Sequence, residues 1–120
     1  MIWESVNRIF FTSLKSIIIP DSVTRIAWKT FAECSSLTSI TIPNSVTRIA
    51  SDAFSGCTGL TSITIPDSVT EISYDAFYGC SSLTDVYYTG TGEQWNQITI
   101  SSSGNDYFTA ATKHYESTGE

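Results

Sequence analysis

Leu37-Thr38-Ser39-Ile40-Thr41-Ile42-Pro43 returns residue for residue as Leu60-Thr61-Ser62-Ile63-Thr64-Ile65-Pro66. The step is 23 residues, and it recurs at Pro20, Pro43 and Pro66, at Phe31, Phe54 and Phe77, and at Cys34, Cys57 and Cys80. A fixed period of roughly 20–50 residues marks a chain that stacks copies of one unit, each touching only its neighbours. The expected architecture is therefore a repeat solenoid.

The unit from Leu37 to Gly59 reads as one coil of that solenoid. Ile40 and Ile42 flank Thr41, the period-2 pattern of a strand with one buried face. Proline cannot donate a ladder hydrogen bond, so Pro43 is expected to end the strand. Asn44 and Ser45 suit a corner. Val46 and Ile49 then turn inward from a short extended segment. Ala53, Phe54 and Cys57 have the spacing of one helical turn, α or 3₁₀. Asp52 is placed to cap its start and Gly56 to end it. Lys29 and Glu33 replace those two residues in the first repeat, which predicts a less regular turn there.

Composition narrows the function. Apolar residues are 41% of the 120, charged residues only 15%, and the net charge is −6. Nucleic-acid binding needs clustered Lys and Arg, so this balance argues against it and against an anionic membrane surface. No apolar run reaches the ~20 residues of a membrane helix. Met1-Ile2-Trp3-Glu4 lacks the basic and apolar regions of a signal peptide, which leaves either a cytoplasmic protein or a piece of a longer secreted one. The three cysteines fall at one phase and should form a column of buried small side chains. No zinc-ligand spacing is present, the acids stand singly, and His114 lies outside any nucleophile motif. No cofactor, metal or catalytic residue is therefore expected.

The pattern Leu-x-x-Ile-x-Ile-Pro-x-x-Val-x-x-Ile-x-x-x-Ala-Phe-x-x-Cys resembles the BspA-type leucine-rich repeat. It covers 14–36 (with Thr30 in the Ala place), 37–59 and 60–82, and a fourth unit opens at Leu83. The tail from Val86 to Tyr115 is similar to the segment that closes many bacterial arrays of this kind. The resemblance implies a right-handed arc with a parallel sheet on its concave face and short strands and 3₁₀ or α turns on the convex side. It also implies a surface or secreted protein of the adhesion type, without enzymatic activity. The implied organisation is a degenerate N-terminal repeat or cap over 1–13, three repeats over 14–82, and a fourth strand with a C-terminal cap over 83–120.

Stacking at this period aligns outward side chains in columns. Ile18, Thr41, Thr64 and Tyr87 share one, Lys15, Thr38, Thr61 and Thr84 another, and Ser16, Ser39, Ser62 and Asp85 a third. Lys15, Ile18, Thr38, Thr41, Thr61, Thr64, Asp85 and Tyr87 are the candidate residues for binding a protein or glycan on the concave face. Thr also suits exposed strand positions by propensity alone. Ile18 and Tyr87 stand out because they are large on a solvent face. The tail aromatics Trp95, Tyr107, Phe108 and Tyr115 read mainly as a seal over the last repeat. The run from Ser101 to Asp106 reads as a loop. At the other end Ile2, Trp3, Phe10 and Phe11 add apolar weight where the repeat is truncated. They either fold over the open end or join a second copy, so a homo-oligomer, dimer or filament, is the rival expectation. A fragment of a longer array is a third.

Overall fold

The computed structural model describes residues 16–116. Ile2, Trp3, Phe10, Phe11 and Lys15 lie outside the described residues. Among the described residues eight short strands and two short helices follow one another: β1 (Arg25–Ile26), β2 (Ser39–Thr41), β3 (Arg48–Ile49), β4 (Ser62–Ile65), β5 (Glu71–Ile72), β6 (Asp85–Tyr88), α1 (Gly92–Trp95), β7 (Thr99–Ile100), α2 (Asp106–Ala110) and β8 (Thr112–Tyr115). They form two parallel four-stranded sheets, ordered β2-β4-β6-β8 and β1-β3-β5-β7. The repeats 37–59 and 60–82 each give one strand to each sheet, and 14–36 gives β1 to one and an isolated bridge at Ile18 to the other, which is the parallel solenoid that the 23-residue period requires. Isoleucine sits opposite isoleucine, as in Ile40↔Ile63 and Ile49↔Ile72.

The core is a set of identical columns. Leu37, Leu60, Ile63, Ile65, Val46, Ile49, Phe54 and Phe77 are all fully buried. Phe31, Phe54, Phe77 and Phe108 stack with ring centroids 5.4, 5.3 and 4.3 Å apart. Phe108 comes from α2, outside the repeats, and continues the ladder past Phe77. One unit cannot hide this much apolar surface alone, so the buried area belongs to the interfaces between units.

The turn side departs from the expected helical turn in one respect. The backbone does make i→i−3 hydrogen bonds, from Ala53 N–H to Ala50 O and from Cys57 N–H to Phe54 O. Asp52, however, is not a cap: its φ is +58°, and Gly56 follows at +81°. Two left-handed residues break the helix into successive tight turns. These are locked by the next repeat, with Phe54 N–H donating to Ala76 O at 2.8 Å and Gly56 N–H to Tyr78 O at 2.7 Å. The first turn is no less regular than the others. Lys29 and Glu33 adopt the same left-handed conformation, at φ +60° and +67°, because Phe31 N–H and Glu33 N–H make the same bonds to Ala53 O and Ser55 O. The ladder imposes a conformation that residues with a Cβ resist. Glu33→Gly, which restores the residue found at Gly56 and Gly79, should raise stability by about 1 kcal/mol. A urea midpoint that is unchanged or lower would contradict this.

None of the three cysteines is in a disulfide, and all are buried. Cys57 Sγ–H donates to Phe31 O at 3.1 Å and Cys80 Sγ–H to Phe54 O at 3.2 Å. A hydrogen bond from Cys34 favours the Cys57 thiolate, but the bond to Cys80 and burial outweigh it and push the Cys57 thiol up to about 12. Both folded and unfolded chains are protonated below the ordinary value of 9.0; above it the unfolded chain alone ionises, until about 12. Stability should therefore fall as pH rises through that window. Urea midpoints at neutral pH and at roughly pH 10.5 should show the drop, with a smaller one in Cys57→Ala.

Candidate binding face

The first sheet carries the columns anticipated from the period. Parallel register places Ile18 beside Thr41, Thr41 beside Thr64, Thr64 beside Tyr87 and Tyr87 beside His114. Ser39, Ser62, Asp85 and Thr112 make a second column. Alternation puts these side chains outward while Ile40, Ile63 and Val86 face the core. Ile18 is 95% exposed and Tyr87 45%. Thr38, Thr61 and Thr84 are exposed as well.

The threonine columns differ in what their hydroxyls do. Thr61 Oγ1–H donates to Thr38 O at 3.0 Å, and Thr84 Oγ1 lies 3.3 Å from Thr61 O and 2.7 Å from Asp85 Oδ2. These hydroxyls tie one repeat to the previous one. The second sheet uses the same device: Thr47 Oγ1 reaches Thr24 O, and Thr70 Oγ1 reaches Thr47 O. Among the described residues, the Thr41 and Thr64 hydroxyls take part in no hydrogen bond. Both described threonines of the column that runs from Ile18 to Tyr87 therefore keep spare hydrogen-bonding capacity, as Thr38 does in the neighbouring column.

At the end of that column the side chains hold one another. The Tyr87 and His114 rings stack at 4.5 Å with 14° between their planes. His114 Nε2 lies 2.8 Å from Asp85 Oδ1. An ionised carboxylate only accepts, so the proton is on Nε2. This bond first, and the one from Thr84 second, hold the Asp85 carboxyl below the usual carboxylate range. The arrangement fixes the imidazole and through it one face of Tyr87.

Two depressions follow the column. One, of about 520 Å³, is floored by Thr41 and Thr64 and walled by Ile18, Asp21, Asn44 and Thr89. The other, of about 320 Å³, lies between Tyr87, His114, Tyr115 and Glu116. Thr64 and Thr89 line both, so the two meet there.

The second sheet offers less. Arg25, Arg48 and Glu71 share a column, and Arg48 Nε reaches Glu71 Oε1 at 3.3 Å. Both side chains are well exposed, so the pair contributes only ~0–1 kcal/mol. On the turn side Trp28, Tyr74 and Tyr78 are exposed rings that the repeat pattern alone does not single out. Trp28 and Tyr74 share the phase of Ser51, and such a break in polarity is the signal that would have found them. Among the described residues no group of three or more His, Cys, Asp or Glu is placed to hold a metal ion. No described helix is long and apolar enough to cross a membrane.

The end of the stack is closed by side chains that the period does not place. Phe77 N–H would need a carbonyl from a further repeat, and it donates instead to Asn105 Oδ1 at 3.0 Å. Asn105 Nδ2–H₂ donates in turn to Ser73 O and Ser101 O, at 3.0 and 2.9 Å. Asn105 is completely buried, inside a segment that reads as a polar loop. Lys113 stands opposite Val86, a core position. Its Nζ donates to the carbonyls of Phe108, Thr109 and Ala111 and lies over the Trp95 and Phe108 rings.

A parallel two-sheet solenoid with leucine, isoleucine, phenylalanine and cysteine columns defines a leucine-rich-repeat protein. The BspA-type leucine-rich-repeat family model matches residues 7–113 in six copies, and the chain belongs to that family. It is similar to a leucine-rich cell surface protein of Faecalibacterium prausnitzii, with 43% identity, a TM-score of 0.71, and coverage of 74% of this chain and 24% of that one. A leucine-rich-repeat protein of Bacteroides ovatus shares 26% identity at a TM-score of 0.56, over 88% of this chain and 31% of that one. A T. pallidum leucine-rich-repeat protein shares the fold, with 23% identity and a TM-score of 0.59, over 84% of this chain and 51% of that one. This chain therefore spans from about a quarter to about a half of these proteins' lengths. No curated protein sequence matches it.

Proposed function

We propose that this chain is a non-enzymatic binding module of a bacterial surface or secreted protein. Its working surface is the sheet β2-β4-β6-β8, where a protein or glycan ligand lies along the column from Ile18 to Tyr87. The observation that carries this reading is the contrast between hydroxyl columns. Threonines that serve the fold bond to the preceding repeat, whereas Thr41 and Thr64 keep their hydrogen-bonding groups for solvent or a ligand between two large exposed side chains. The cell-surface description of the Faecalibacterium protein supports the location.

The test is an array of glycans and extracellular-matrix proteins probed with the labelled chain, with Thr64→Arg and with Thr70→Arg. Thr64→Arg should abolish the wild-type signal, and Thr70→Arg, on the second sheet, should leave it intact. Equal loss in both variants, or no loss in Thr64→Arg, would move the ligand off this face.

A further inference from the structure

We propose that the trough between Thr41 and Tyr87 is a site for a neutral pyranose of a glycan, with Tyr87 as its stacking platform. This inference rests on the binding reading above and names the ligand class for that surface.

In a ladder of parallel strands, same-phase side chains lie side by side along the stack. His114 covers the face of Tyr87 that looks toward β8, with the planes only 14° apart. The opposite face looks toward Thr64, its partner in β4. Threonine is too short to cover a phenol ring, and Tyr87 stays 45% exposed. One flat aromatic face therefore looks down the trough, and its tilt is fixed from behind by His114 and Asp85. A ring held in place before binding loses little freedom when a ligand stacks on it.

The floor and walls select what stacks. Thr41, Thr64, Asn44 and Thr89 are uncharged hydrogen-bonding residues. Each hydroxyl both donates and accepts, which matches the hydroxyls of a sugar. The cation nearest the platform is His114 when protonated, and Asp85 already holds it. Among the described residues, no Lys or Arg lines the trough to receive a phosphate or carboxylate. Asp21 and Glu116 line its two ends, and Asp85, on the same face as Tyr87, is taken up by His114. A pyranose offers an apolar C–H face to the ring and hydroxyls around its edge, and it satisfies both halves of the site. The depression that Tyr87 lines, about 320 Å³, is within the ~300–1,000 Å³ of small-ligand sites.

The experiment is saturation-transfer and amide-shift NMR with methyl glycosides of glucose, galactose, mannose and N-acetylglucosamine, with a methyl sialoside as the anionic control. Unstructured hexapeptides carrying arginine or tyrosine form a separate arm. At least one neutral glycoside should shift Thr41, Thr64 and Tyr87, and the sialoside should not. Tyr87→Ala should weaken that binding by about fivefold to tenfold, and Tyr87→Trp should retain it. Tyr87 is exposed, so both variants should melt like the wild type, and this is measured alongside. No response to any neutral glycoside, or full binding by Tyr87→Ala, would overturn the sugar site. Peptide binding on this face without glycoside binding would overturn it too, while the wider binding reading would stand. Failure of both arms together with the array would remove both readings.

Discussion

Phe77→Ala is expected to destabilise the chain by about 3–5 kcal/mol. Phe77 is completely buried and stacked on both sides, by Phe54 at 5.3 Å and Phe108 at 4.3 Å. Truncation removes the ring from the join between the last repeat and the segment that closes it, where no backbone ladder can shift to fill the gap. Folded domains hold only ~5–15 kcal/mol in total, so the variant will be marginal. Urea denaturation followed by circular dichroism measures the loss. A change below roughly 1 kcal/mol would mean that the phenylalanine ladder is not the core.

Asn105→Ala is the second large effect, a loss of about 2–4 kcal/mol. The cost is not a lost contact area but stranded polar groups. Phe77 N–H would have no acceptor, and the carbonyls of Ser73 and Ser101 would each lose a donor, all around a fully buried side chain. In the first repeats the equivalent amides of Phe31 and Phe54 use backbone carbonyls of Ala53 and Ala76. Asn105 thus supplies with its side chain the carbonyl that a fourth such turn would otherwise provide. The same denaturation experiment should show Asn105→Ala far below Asp106→Ala, an exposed neighbour. Equal stability of the two would contradict this role.

These two residues also mark what the sequence could and could not reveal. Phe77, like Ile40 and Cys57, is legible because it recurs at a fixed step, and a fixed step in a stack means a fixed environment. The outward columns are legible for the same reason. Asn105 and His114 are not, because the chain leaves the period before it reaches them. Helices α1 and α2 lengthen the last coil, so β8 meets β6 four residues later than the 23-residue step would bring it, as Tyr87↔His114. A period fixes a position only while the unit length holds. The left-handed turns at Asp52 and Lys29 were hidden for another reason. Asp before a small apolar pair reads locally as a helix cap, whereas here the carbonyls of the next repeat decide the backbone. Local propensity lost to a bond that spans more than twenty residues.

The binding face was legible as a set of columns but not as a site. Sequence alone ranks Thr38, Thr41, Thr61 and Thr64 together. Only the hydrogen bonds separate Thr61, which holds Thr38 O, from Thr41 and Thr64, which hold nothing. That distinction needs the distance between a hydroxyl and the carbonyl of the preceding repeat.

Every turn is completed by an acceptor from the next unit, and Asn105 supplies the last one. Native-state amide hydrogen exchange at Phe31, Phe54 and Phe77 tests it most directly. Comparable protection is expected at all three amides in the wild type, with Phe77 the first to lose it in Asn105→Ala. Phe77 exchanging at the rate of an unprotected amide in the wild type, while Phe54 stays protected, would contradict it.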